Sequence, residues 1–299
     1  MMIKSLSSGF AVAALVLASS AANAGVVTVL PEDIAGSSTT DQWYRANALS
    51  GGAAAITDTY LPNGSHTGSA RLSGTGNSSK IDLQYRWDIN TAAANGYTLG
   101  NLSAAGFDWL RDASSGARAN LAPVMRIYYD LDGNAATTTD QGVLVWEAVY
   151  NGMSTVPTGI WISSDVLSGK FWEITTDPLF GSLTVQRQID LYYTLDQWRD
   201  PGVSKTEPAS AGGFTGDTLT ANTVIYGFNV GIGSGWGGSF LGAVDNVYWE
   251  FGENRTTWNF ELTAPIPGSV PEPGALALAG IGLLALGVLR RRSATVRSA

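Results

Sequence analysis

One histidine, no cysteine and 25 acidic side chains bound the chemistry open to this chain. His66 stands in Asn63-Gly64-Ser65-His66-Thr67-Gly68, a turn composition, and reads as an exposed loop residue. A Ser-His-Asp triad would have to use this imidazole, and no G-x-S-x-G elbow accompanies it. One His without Cys also leaves zinc without a ligand set. Paired carboxylates remain, because glycoside hydrolysis needs only two, one as acid and one as nucleophile or base. Glu147, Glu173, Asp190 and Glu250 fall on strand-like runs, but no E-x-D-x-x-E strand motif pairs them. The expectation is a protein with no catalytic residues, with a polysaccharide-active hydrolase as the competing reading.

Two further sets could bind rather than react. Asp130-x-Asp132-Gly133-Asn134, with Asp140 beyond, places oxygen donors at alternate positions around a glycine turn, as a hard cation such as Ca²⁺ requires. The EF-hand spacing is not met, since the Gly comes early and no closing Glu follows. A hairpin loop rich in turn formers has the same composition. No cofactor is expected beyond a structural calcium on these four residues. The ten tryptophans are the second set. Exposed aromatic faces stack on sugar rings. Trp87, Trp109, Trp146 and Trp249 alternate with polar neighbours and read as core. Trp236, in GSGWGGSF, is the candidate for an exposed, sugar-binding aromatic. Gly231-x-Gly233-x-Gly235 beside it is no phosphate loop, because no Lys-Ser/Thr and no helix follow.

The elements that would position these residues read as strands. Residues 80–87 (KIDLQYRW) alternate Ile81, Leu83, Tyr85 and Trp87 with Asp82, Gln84 and Arg86, the period of a half-buried strand. Residues 124–129 and 143–150 form a second pair across a polar loop. Runs at 183–193, 223–232, 243–251 and 256–262 follow. One short helix is expected after Thr194, which caps it, with Pro201 as its stop. A long polar loop is expected over 203–220. Short strands, Gly-rich turns and no alternating helices predict an all-β, antiparallel sandwich or jelly roll.

Both ends differ from this body. Lys4, the apolar run 10–18 and Ala22-Asn23-Ala24 form, in order, a cleavable signal peptide over residues 1–24, with Ala22 and Ala24 as the signal peptidase pattern. The predicted body is 25–265 and the tail 266–299. In the tail, Val270-Pro271-Glu272-Pro273 precedes an uncharged apolar helix over 274–289 and the cluster Arg290, Arg291, Arg292. A helix of that length would span roughly 24 Å, short of the ~30 Å hydrocarbon core. Arginines at its end fix the direction, tail inside and body outside. The two prolines hold the preceding strip extended.

This tripartite tail resembles the PEP-CTERM sorting signal, a tail that also carries an ice-binding C-terminal label describing the tag rather than an activity. The resemblance implies export across the inner membrane of a Gram-negative bacterium that makes exopolysaccharide. It further implies a transient membrane anchor and processing by exosortase, followed by release to the cell surface or matrix. A second stretch, with Val244-Asp245-Asn246-Val247 and then Asn259-Phe260-Glu261, is similar to the closing strands of exported PEP-CTERM proteins and to the last strand of jelly-roll carbohydrate-binding modules. It implies a sandwich and no particular ligand.

The net charge of −8 argues against a nucleic-acid partner, because phosphate neutralisation needs clustered Lys and Arg. The expected partners are signal peptidase, exosortase on the tail and exopolysaccharide. The expected role is structural, adhesive or polysaccharide-binding in a biofilm matrix. An ice-binding array is not expected, since residues 137–139 are one short Thr run.

Overall fold

The computed structural model describes residues 25–34, 36, 40–64, 66–176 and 186–264. The signal segment with Ala22 and Ala24, and the tail with Val270, Pro271, Glu272, Pro273 and Arg290–Arg292, lie outside the described residues. Among the described residues no helix is long and apolar enough to cross a membrane.

The described residues form an all-β sandwich of two seven-stranded sheets. The first holds β1 (Gly25–Val29), β3 (Gly52–Thr57), β4 (Ser69–Gly74), β6 (Leu102–Arg111), β9 (Trp161–Asp165), β13 (Phe240–Phe251) and β14 (Asn254–Phe260). Its path is β1-β14-β13-β4-β3, and β6 pairs with β13 and carries β9. The second sheet runs β11-β10-β8-β7-β12-β5-β2. Its members are β2 (Trp43–Leu49), β5 (Lys80–Arg86), β7 (Val124–Asp130), β8 (Gln141–Trp146), β10 (Lys170–Thr176), β11 (Gln186–Thr194) and β12 (Val224–Ile232). Pairing is antiparallel except that β1 lies parallel to β14, Gly25 opposite Thr256, a departure from the purely antiparallel expectation.

The alternation in β5 sorts its two faces. Tyr85 packs its ring 5.4 Å from Trp249 and 4.7 Å from Trp258 of the opposite sheet, so Ile81, Leu83 and Tyr85 point between the sheets. Trp43 and Trp87 join them, and Phe228 stacks on Trp249 at 4.6 Å with planes 4° apart. Trp87, Trp109, Trp146 and Trp249 are all buried, as their alternation predicts. Truncating such a ring to Ala typically costs about 3–5 kcal/mol, so this aromatic core is a principal stabiliser in a chain without disulfides.

Two helices matter locally. α1 (Ile89–Ala94), absent from the sequence reading, is nucleated by Asp88, whose carboxylate accepts from Thr91 N. α2 (Leu195–Arg199) follows Thr194, which forms a capping box with Gln197, and it buries Leu195 and Trp198.

Candidate functional site

The face of the second sheet turned away from the sandwich carries the odd chemistry of the molecule. With Ile81, Leu83 and Tyr85 inward, Asp82, Gln84 and Arg86 point outward. The register places Asn229 beside Gln84 and Arg126 beside Asn229. All of these polar side chains but the half-buried Arg86 are nevertheless buried, because they pack on one another across four strands. Arg126 Nη1 donates to Asp82 Oδ1 at 2.7 Å and to Asn229 Oδ1 at 3.0 Å. Asn47 Nδ2 donates to Asp82 Oδ2 at 2.8 Å, and Lys80 Nζ approaches to 3.7 Å. Asn229 Nδ2 in turn donates to Tyr128 Oη at 2.8 Å. Arg86 lies over the rings of Tyr128 and Tyr226, at 4.3 and 5.6 Å.

Gly231 is what lets this network cross β12. A Cβ there would sit 2.1 Å from Asp82 Oδ1, so only glycine allows the β5 carboxylate to reach over the strand toward β7.

Both ends of this face are hollowed. At one end a pocket of about 420 Å³ is lined by Lys80, Arg126, Glu147, Tyr150, Trp172 and Gln188, with the Gly233–Trp236 turn as a wall. Burial pushes the Glu147 carboxyl up, against the pull of Arg126. Tyr150 and Tyr192 stack at 3.9 Å nearby. At the other end Tyr44, Arg86, Ala135, Gln141 and Tyr226 line a pocket of about 340 Å³. The result is a strip of aromatic rings, amides and guanidinium groups with a recess at each end.

Trp236 reaches this region in an unexpected way. It is 7% exposed, because its ring packs edge-on against Phe240 at 5.1 Å. It therefore serves as a pocket wall and not as the exposed stacking aromatic that its Gly-rich setting suggests. Trp172, only partly buried, is the ring presented to that pocket.

Of the four carboxylates read as strand residues, Glu147 follows the end of β8 and feels the Asp190 charge, while Glu173 and Glu250 lie on other faces. Glu147 faces the larger outer pocket. Glu250 lies on the first sheet, where its side chain accepts from Ser103. Asp190 is exposed on β11. Glu173 points into the sandwich, where Tyr129 bridges it to Asp217, the Tyr Oη lying 2.7 Å from Asp217 Oδ2. Thr175 also donates to Asp217, and the Asp217 N–H donates to Glu173 at 3.0 Å. Gly142 makes room for this bridge, since a Cβ there would meet Tyr129 Oη at 2.1 Å. Burial, with the neighbouring Asp217 charge, pushes Glu173 up to about 8.

His66 is not an exposed loop residue. Its Nδ1 lies 3.0 Å from Glu261 Oε1, 3.2 Å from Asn259 Oδ1 and 3.5 Å from Asp245 Oδ2. The end of β14 folds back over the turn, and Glu261 Oε2 accepts from Thr67 Oγ1 and Gly68 N at 2.7 and 2.9 Å. Asp245 Oδ1 accepts the N–H groups of Asn246 and Phe260, which orients the two closing strands. The group is a structural latch, with Asp245 raised to about 8 by burial.

In the calcium-like loop, Asp130, Asp132 and Asp140 come together, each offering an oxygen within 4.8 Å of the others. Beside them, Asn134 Oδ1 accepts from Ala136 N at 3.1 Å in a local turn.

The tail answers to a known motif. Residues 269–292 match the PEP-CTERM protein-sorting motif. The chain thus carries the PEP-CTERM sorting motif, which implies export and handling by exosortase. No curated protein matches the chain. Among solved structures, it is similar to a family 11 carbohydrate-binding module from Clostridium thermocellum in complex with a β-1,3-1,4-mixed-linked tetrasaccharide. The similarity covers 74% of this chain and 91% of that one, at 12% identity and a TM-score of 0.32.

Proposed function

We propose that this exported β-sandwich binds polysaccharide through the outer face of its second sheet, without cutting it, as a structural or adhesive component of the extracellular matrix. The observation that carries the reading is the strip of Tyr, Trp, Arg, Asn and Gln side chains across β5, β12, β7 and β10, recessed at both ends. Sugar rings offer apolar faces to aromatic rings and hydroxyls to amides and charged groups, and the open ends of this strip supply both, Tyr150 and Trp172 with Lys80 and Gln188 at one end and Arg86 with Gln141 at the other. Its polar groups are already cross-bonded, so they stand in place before a ligand arrives, which reduces the ordering cost of binding.

A glycan panel screened with residues 25–269 tests this. Binding to at least one acidic or neutral polysaccharide is expected, and Trp172→Ala should weaken it at least tenfold under conditions where circular dichroism shows the variant folded. Failure to retain any glycan would remove the reading. The competing hydrolase is favoured by the raised carboxyl of Glu147 inside a pocket. Glycosidic cleavage needs a second carboxyl within about 5–10 Å; Asp190, whose charge reaches Glu147, is exposed on β11 and does not line the pocket. No new reducing ends should therefore appear on prolonged incubation with a bound glycan.

For the tail, signal peptidase acts after Ala24 and exosortase acts at Val270–Pro273, with the Arg cluster holding the 274–289 segment in the inner membrane until then. Pro271→Ala and Glu272→Ala should each leave unprocessed protein in the inner-membrane fraction, read by immunoblot of membrane and medium. Normal release of both variants would show that this strip is not what exosortase reads.

A further inference from the structure

The loop between β7 and β8 closes over three carboxylates whose bonding is incomplete. Asp130 ends β7, and its Oδ1 accepts from Gly133 N at 2.6 Å. Asp132 is held at Oδ1 by Asn134 N at 2.8 Å and by the Thr137 hydroxyl at 3.0 Å. These bonds satisfy one side of the group only. Asp130 is 0% exposed, yet its Oδ2 accepts no hydrogen bond, and the buried Oδ1 of Asp140 accepts none either. A buried carboxylate oxygen without a donor is costly, and two beside a third acid are costlier. A bound cation would remove that cost for all three at once.

We infer that Asp130, Asp132 and Asp140 hold a divalent cation of the Ca²⁺ type, and that the ion fixes the 131–140 loop at the edge of the outer face. The donors are all oxygen, which selects a hard ion over zinc or copper. Two oxygens on one Ca²⁺ stand up to about 5 Å apart and two on Mg²⁺ up to about 4 Å. Lying within 4.8 Å of one another, the three oxygens can share one such ion. Water and backbone carbonyls complete such shells. The loop's place gives the ion a consequence. Asp130 pairs across the ladder with Gln141, and Gln141 and Ala135 line the pocket shared with Tyr44, Arg86 and Tyr226. This second half rests on the polysaccharide reading, whereas the ion itself does not.

Calorimetric titration of the full chain in detergent with CaCl₂ tests the ion directly, beside thermal melting in EDTA. At about 100 times Kd, calcium should raise Tm by roughly 5–10 °C. Asp132→Asn and Asp140→Asn should each lose most of that rise while melting in EDTA at or above the parent, because one like charge has gone. Absence of calcium heat in the parent at millimolar concentration, or an undiminished response in both variants, overturns the site. For the loop, glycan affinity should fall at least threefold in EDTA, and equal affinity in both conditions overturns that half. Calcium binding without any glycan binding sustains the ion and overturns only the surface reading.

Discussion

Arg126→Met should destabilise the body by about 3–5 kcal/mol and shift Tm down by roughly 6–20 °C, as expected when one partner of a buried ion pair is removed. The methionine keeps the apolar stem and deletes the guanidinium. Asp82 is fully buried, and it would lose its 2.7 Å partner while keeping Asn47 at 2.8 Å and Lys80 at 3.7 Å. Lys80 limits the damage. Its ammonium is held down by burial and by the Arg126 charge, with Asp82 pulling the other way, so it turns more favourably toward Asp82 once Arg126 is gone. Asn229 Oδ1 also loses a donor, which adds to the loss. The double variant Asp82→Asn/Arg126→Met should recover more than half of the single-variant loss, because no fully buried carboxylate is then left without its guanidinium. Urea unfolding of the four proteins at one pH measures the coupling. Additive losses in the double variant would mean that the pair does not act as a unit. Because the same residues form the floor of the proposed glycan face, the single variant should also lose glycan retention.

The fold was readable where strands alternate large apolar and polar residues. KIDLQYRW reads as a half-buried strand because Ile81, Leu83 and Tyr85 meet the opposite sheet while Asp82 and Gln84 do not. β12 and β13 read equally well. β3, β4 and β6 do not, because GAAAIT, SARLSG and LSAAGFDWLR put Ala, Gly and Ser on pleated surfaces that favour branched or aromatic side chains. Their partners supply the bulk instead: Trp249 and Tyr248 lie beside Ala105 and Gly106 in the ladder between β13 and β6. Tertiary pairing overrides weak local preference there. The parallel contact of β1 with β14 joins segments at opposite ends of the body, and no local pattern announces it.

The site was less legible, for a geometric reason. Arg126, Asp82 and Asn229 come from three strands far apart in the chain, and their meeting depends on register, which one sequence does not specify. Two signals were present all the same. Gly231 stands inside a strand-like run and Gly142 at the edge of one, where a glycine marks a close approach by something from a neighbouring strand. Here those visitors are the Tyr129 hydroxyl and the Asp82 carboxylate. His66 misleads for a related reason, since its turn composition hides the later arrival of Glu261 and Asp245. Trp236 misleads because a Gly-rich neighbourhood exposes backbone while its ring finds Phe240. The acidic loop is different: three of its four donors are close in sequence, and its three carboxylates converge.

The second large effect is a pH dependence that Glu173→Gln should flatten. The Tyr129 hydroxyl lies between Glu173 and Asp217 and can donate only one proton. The arrangement closes if neutral Glu173 donates to Tyr129 while Tyr129 donates to ionised Asp217, with Thr175 as a second donor to Asp217. That is the state favoured when burial holds Glu173 at about 8 against an ordinary 4.5. Between those values the folded chain keeps a proton that the unfolded chain has released. Stability contributed by this group is therefore fully present below the ordinary pKa and declines through the window, by up to about 1.4 kcal/mol per pH unit. Asp245, raised to about 8 from 3.8, adds a decline of the same sign. The glutamine side chain of Glu173→Gln would keep the shape, donate its amide to Tyr129 and accept from Asp217 N–H, with no proton to lose. Parent and Glu173→Gln should be about equally stable at pH 5, and the variant should lead by a few kcal/mol at pH 8.5, with the residual slope belonging to Asp245 and to the other carboxyls that burial raises, Asp217, Glu147 and Asp130. Urea unfolding at half-unit pH steps reads the difference directly. Parallel curves from pH 5 to 8.5 would mean that Glu173 is ionised in the folded protein, and that the Tyr129 bridge joins two charged groups.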